Sequence, residues 1–236
     1  GGELARRTKL ALSEIAAGMD EIEIARGRIR SLIAIGVVPL SATHLLALAI
    51  NDLLEEYPEA SVSIAHGPYD PLLDDLRSAR IDLLYGVLRL PSWSRDVQEE
   101  PLFFDSYVVV VRRGHPLTRL KRLRLDDLAN FDWIAPRAGT PRRQNMQRMF
   151  ASSAKRPKIA IETSSLSVQR ALLLSSDRVT LLTRLEMDAE AAMGALVPLS
   201  YVPHVERGQD GLATRKDWQP TPVQSRFLEL LRRRCR

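Results

Sequence analysis

The feature that most limits how this chain can fold is a pattern that runs strand, helix, strand, helix, strand and then starts again. Residues 28–38 alternate and then become continuously apolar through Ile33, Ala34, Ile35, Gly36, Val37 and Val38, the mark of a strand buried on both faces. Pro39 stops the run, and 41–56 then repeats Leu45, Leu46, Ala49, Leu53 and Leu54 on one helical face until Tyr57-Pro58. A strand at 61–66, a helix at 71–79 and a strand at 81–86 follow. Parallel strands joined through helices cross over right-handedly, so this stretch predicts an α/β lobe.

The pattern restarts at Tyr107-Val108-Val109-Val110-Val111. It continues with a helix at 125–129, a strand at 132–135, a helix at 142–153 and a strand at 158–162. Next come a helix at 164–175, a strand at 179–183, a helix at 185–193 and a short strand at 196–199 that returns toward the first lobe. Gly208-Gln209-Asp210-Gly211 reads as a turn, followed by a last strand at 211–215 and a last helix at 222–234. The fold class expected is α/β, two Rossmann-like lobes hinged about a cleft, one inserted in the other. Residues 28–104 and 202–236 form the first lobe and 105–201 the second. In front of them, within the segment 1–27, residues 4–26 read as one amphipathic helix, with Leu4, Ala11, Ile15, Met19 and Ile22 recurring at helical spacing. A lone helix of that length is marginal in water, so its stripe packs either on a partner chain or on its own domain.

Composition narrows the class. Hydrophobic residues make up 45% and charged residues 27%, the balance of a globular protein rather than a disordered one. No apolar run reaches the roughly 20 residues of a membrane span, and the start has no secretory pattern. One cysteine, Cys235, allows no internal disulfide and fits a reducing cytoplasm. The net charge of +5 suggests nucleic acid, but the basic residues are scattered and not interleaved with aromatics.

No catalytic constellation, cofactor fingerprint or metal-ligand spacing is legible. His44, His66, His115 and His204 are far apart, and His115, before Pro116 in a turn, reads as a surface residue. The candidate ligand contacts are polar groups at strand C-termini, where open parallel sheets bind. In the first lobe these are Pro39, Leu40 and Ser41 after the first strand and Gly86 at the end of the third. The Ser41 hydroxyl caps its helix, meets a ligand, or does both. In the second lobe they are Arg137 and Thr140 before one helix and Thr163, Ser164 and Ser165 before another. Arg137 is either a bidentate grip on a carboxylate or an exposed loop arginine. Ser41, Arg137, Thr140 and Ser164 are expected to line one cleft.

The ordered motifs resemble the effector-binding domain of LysR-type transcription regulators. Gly36-Val37-Val38-Pro39-Leu40 stands ahead of a helix ending Glu56-Tyr57-Pro58-Glu59-Ala60. Leu76-Arg77-Ser78-Ala79-Arg80-Ile81-Asp82-Leu83 precedes the third strand, and Arg113-Gly114-His115-Pro116-Leu117 matches the family's Gly-His-Pro-Leu turn. Leu125-Asp126-Asp127-Leu128 and Trp133-Ile134 follow in family order. Gly139-Thr140-Pro141-Arg142-Arg143 and Glu162-Thr163-Ser164-Ser165-Leu166 are similar to a branch that includes regulators of a galactose-binding protein. Ala79 departs from the family's glycine, a change a helix end accepts if φ stays negative.

The resemblance implies a type 2 periplasmic-binding-protein-like fold, not an enzyme. It implies a cytoplasmic sensor for a sugar, a sugar acid or an aromatic or other organic acid. Residues 1–27 would be the linker and dimerisation helix. The sensor would pair into homodimers or tetramers through the helices at 41–56 and 164–175, and would reach DNA only through a missing N-terminal winged helix-turn-helix domain. The alternative sharing this fold is a periplasmic-type solute-binding protein of a transporter.

Overall fold

The protein is described from a computed structural model. It describes residues 32–39, 43–89, 96–205 and 207–236, with Leu4, Arg7, Thr8, Ala11, Ile15, Gly18, Met19 and Ile22 from the N-terminal segment. Those eight are helical and exposed; the rest of the helix expected over 4–26 lies outside the described residues, as do Leu40 and Ser41. The chain divides into two compact units, Gly1–Phe103 with Gln209–Arg236, and Phe104–Gly208. Residues 202–208 group with the second unit.

The first unit begins with β1 (Leu32–Val37), α1 (Thr43–Glu56), β2 (Ser61–His66), α2 (Tyr69–Arg77) and β3 (Leu83–Val87). Both β2 and β3 pair parallel to β1, with Ile35 opposite Ile64 and Leu83. Odd-numbered β1 residues Ile33, Ile35 and Val37 join Leu46, Ala49 and Leu53 of α1 in one core. The opposite face meets Leu72 and Leu76 of α2, and a Cβ on Gly36 would strike the Ile81 side chain. Both faces are therefore covered, which is why β1 reads as a continuous apolar run.

At the end of α2 the sequence expectation fails. Ala79 has φ 55°, not a negative value. The helix closes with Ala79 N–H donating to the Leu76 carbonyl and Arg80 N–H to that of Asp75. That closure needs a left-handed residue, and here an alanine fills it.

A strand absent from the sequence reading follows, β4 (Val97–Asp105). Its start, Val97-Gln98-Glu99-Glu100-Pro101, has no alternation of apolar and polar side chains. It forms nonetheless at the outer edge of the sheet, where proline and charge are tolerated.

The second unit opens with β5 (Tyr107–Arg112) and a 3₁₀ turn at Pro116–Arg119. His115 before that turn is fully buried, contrary to the surface reading. Its Nδ1 accepts from Leu117 N–H at 3.1 Å and its Nε2 lies 3.1 Å from the Asp177 carbonyl, so the ring is held as the neutral Nε2–H tautomer. Then come α3 (Leu125–Ala129), β6 (Trp133–Ala135), α4 (Pro141–Met149), β7 (Ile159–Glu162), α5 (Leu166–Leu174), β8 (Thr180–Thr183), α6 (Arg184–Ala192) and β9 (Leu196–Pro198). β6 and β7 are parallel, whereas β5 pairs antiparallel with β8 and with β9. β9 therefore stays in this unit instead of returning to the first. Trp133, fully buried, donates its indole N–H to the Leu128 carbonyl at 2.9 Å and meets Phe150 edge-on.

The chain closes with β10 (Gly208–Arg215) and α7 (Pro222–Arg234). The expected turn at Gly208-Gln209-Asp210-Gly211 is instead the start of β10, antiparallel to β3, with Gly211 opposite Gly86. The five strands run β2-β1-β3-β10-β4. A Cβ on Gly211 would run into the Glu100 carbonyl, so glycine is what lets β4 lie this close. α7 buries Val223, Phe227 and Leu231 in the core shared with α1.

Candidate functional site

In the second unit, β6 and β7 run side by side, with Ala135 opposite Glu162, and the ladder continues as Thr163 N–H donates to the Ala135 carbonyl at 2.9 Å. Each strand then turns into a helix. The turns 136–140 and 163–165 therefore leave the same edge of the parallel pair, where helix N-termini present unpaired N–H groups.

Both turns are held by their own side chains. Thr140 caps α4: its hydroxyl accepts from Arg143 N–H at 3.4 Å and donates to the Arg137 carbonyl at 2.8 Å. Gly139 enters this cap at φ 83°, a conformation side chains disfavour. Ser165 caps α5, accepting from Val168 N–H at 3.3 Å, and Thr163 Oγ1 accepts from Ser165 N–H at 3.1 Å. Arg143 donates to the Pro136 carbonyl at 3.1 Å and lies 3.6 Å from Glu162, tying one turn to the other strand end.

Two groups in this frame have spare capacity. Ser164 is half-buried, and its hydroxyl has no partner among the described residues. Gln169 is fully buried; its amide N–H donates to the Thr163 carbonyl at 3.1 Å, while its Oε1 has no partner. An orphaned buried carbonyl costs about 1–3 kcal/mol, so such a group calls for a donor from water or ligand. Arg137 is exposed at the lip of its turn.

Sequence reasoning missed Gln169, Arg143 and the pair beneath α4. Arg142 and Glu186 are both buried, with the guanidinium 2.8 Å from the carboxylate. Glu186 also accepts from Thr183 N–H at 2.7 Å. This pair anchors the first turn of α4 to the β8–α6 junction. The one available signal was the adjacent Arg142-Arg143, which does not say which of the two turns inward.

The first unit's candidates lie on neighbouring parallel strands. Pro39 is a half-buried turn residue just past β1, with Val38 N–H donating to the Tyr85 carbonyl at 3.0 Å. Gly86 is buried within β3 at φ 141°, so its backbone explains the glycine independently of any ligand.

Known proteins place these features in context. The family profile described as LysR substrate binding domain matches residues 26–236. The HTH-type transcriptional regulator GalR of Pseudomonas putida is 32% identical over 187 residues, covering 79% of this chain and 47% of that protein. The chain thus spans about half the length of that curated relative. Among solved structures, the cofactor-binding domain of the Cbl transcriptional regulator has a TM-score of 0.74 at 20% identity, covering 86% of this chain and 88% of that one. The effector binding domain of QuiR in complex with shikimate has a TM-score of 0.69 at 19% identity, covering 86% and 96%. At such identities the likeness carries the two-lobe α/β fold.

Proposed function

We propose, from the premise that the chain belongs to the LysR substrate-binding domain family, that it senses a small polar effector for a LysR-type transcription regulator. The observation that carries this reading is the paired turns after β6 and β7, with Ser164 and Gln169 left able to bond a ligand. An effector with hydroxyl or carboxyl groups fits: it can donate to Gln169 Oε1, use the Ser164 hydroxyl and accept from helix N-termini. Thr140, Thr163 and Ser165 hold the turns, and Arg137 adds reach toward an anion. Pro39 and Gly86 of the first unit, with Leu40 and Ser41 next to Pro39 in sequence, are kept as candidate contacts of that unit, separate from these turns.

The regulator reading is favoured over a transporter's solute-binding protein by the family match and by the named function of the GalR relative. DNA binding is assigned to the part of such regulators that this chain does not span. Among the described residues no helix is long and apolar enough to cross a membrane. Residues 1–27 are proposed as the linker helix, and pairing of two chains is expected by light scattering at micromolar concentration; a monomer there would count against it.

The test is a thermal-shift screen of sugars, sugar acids and aromatic acids against this chain. A true effector raises the melting temperature with concentration, by about 2.7 kcal/mol of stabilisation at a hundredfold excess over Kd. Ser164→Ala and Gln169→Leu should each weaken that effector by roughly 1 kcal/mol or more. A hit whose affinity ignores both substitutions would remove the effector from these turns.

A further inference from the structure

On the first unit, away from the strand ends just described, a pocket of about 310 Å³ opens between the outer strands and α7. Gln98 of β4 and Thr214 of β10 lie in it, with the Gln98 amide donating to the Thr214 hydroxyl at 3.1 Å. Trp218 and Leu228 supply apolar wall, and both pack against the unit's core. Glu100 and Arg232 add a bidentate pair, at 2.7 and 2.8 Å.

Side chains alternate along a strand, so Gln98 and Glu100 turn to this pocket while Glu99 turns to the other face and accepts from the Tyr69 hydroxyl at 2.8 Å. Packing alone would place apolar residues between a sheet and a helix. Here the apolar wall of Leu212, Pro220, Leu228 and the indole is interrupted by an amide, a hydroxyl and an ion pair, with a volume at the lower end of the ~300–1,000 Å³ of small-molecule sites.

We infer that this pocket binds a small neutral polyol ring of monosaccharide size. The lining selects against the other classes. An organic anion must share Arg232 with Glu100, a carboxylate that the Arg232 hydrogen bond holds below its ordinary range and hence charged at neutral pH. A purely apolar ring covers the Gln98 amide, the Thr214 hydroxyl and the Glu100–Arg232 pair and offers none of them a hydrogen bond. A polyol donates hydroxyl protons to Glu100, accepts from Gln98 and Arg232, and lays its C–H face on Trp218. None of these residues belongs to the turns after β6 and β7, so the two sites stand or fall separately.

The experiment is NMR of the uniformly ¹⁵N-labelled chain titrated with D-glucose, D-galactose and myo-inositol, with sodium benzoate as the anionic comparison. The Trp218 indole N–H peak is assigned by its loss in Trp218→Phe. At least one polyol should shift that peak saturably. Gln98→Leu, at an exposed edge position, and Arg232→Met should each weaken the response about tenfold, the worth of one charge-assisted or well-placed hydrogen bond. The inference is overturned if no polyol gives a saturable shift, if both variants respond like the parent chain, or if benzoate moves the peak at lower concentration than every polyol. Shifts confined to residues 136–140 and 163–169 would support the effector reading and overturn this one.

Discussion

Ala79 is the one non-glycine residue with positive φ among the described residues. A left-handed alanine crowds its Cβ against the carbonyl, at a cost of about 1–2 kcal/mol. Glycine removes that strain but adds freedom to the unfolded chain, worth about 0.4–1 kcal/mol the other way. Ala79→Gly should therefore stabilise the protein by about 0.5 kcal/mol, read as a higher urea midpoint at unchanged slope. A lower midpoint would mean the turn carries no strain. His115 gives a second expectation at this scale. Burial, its largest cause, lowers the ring's pKa below its ordinary value of 6.5. As pH falls below about 6.5 the unfolded chain takes a proton that the folded ring refuses, so stability is present above that value and is lost beneath it. Urea midpoints measured from pH 7.5 to 5 should fall in the parent and fall less steeply in His115→Gln. Parallel curves would sink this account.

At the scale of elements, the helices were the most legible. α3 and α7 begin and end where the sequence placed them, and α7 shows why: Thr221-Pro222-Val223-Gln224 forms a capping box, with Thr221 N–H donating to Gln224 Oε1 at 3.0 Å. The cap at Thr140 was readable by the same chemistry; at the second turn the helix is capped by Ser165 and not by Thr163. Gln169 was not, because a glutamine inside a helix looks alike in sequence whether it faces solvent or core. β4 was invisible because an edge strand need not alternate, and Gly208–Gly211 was misread because two glycines signal a turn as readily as a close strand crossing. Gly211→Ala tests that crossing. Its methyl must displace the Glu100 carbonyl or the Leu88 side chain, an overpacking cost of about 1–3 kcal/mol. Hydrogen exchange should speed up along β4 while β6 and β7 keep their protection. Equal loosening of all of these strands would show that β4 is not where the strain falls.

Over the whole molecule, charge argues for a protein that meets DNA poorly by itself. The net charge is +5, yet many arginines are engaged: Arg226 with Glu56, Arg232 with Glu100, Arg234 with Asp52, Arg112 with Asp177 and Arg142 with Glu186. Binding of this chain to duplex DNA is expected to be weak, indifferent to sequence and lost by about 200 mM salt, since it rests only on phosphate contacts. Fluorescence anisotropy with two unrelated duplexes checks this, and salt-resistant preference for one would refute it.

The order of the two units along the chain also bears on how the protein is made. The second unit is one continuous stretch, Phe104–Gly208, whereas the first needs Gln209–Arg236 to be whole. During synthesis the ribosome therefore delivers everything the second unit requires while the first still lacks β10 and α7. Its apolar β1 and α1 surfaces must wait for Leu212, Phe227 and Leu231 to emerge. A nascent chain of this design leaves the β1–α1 core open until α7 emerges, and a stop within 209–236 would spare Phe104–Gly208 while leaving the first unit without its closing helix.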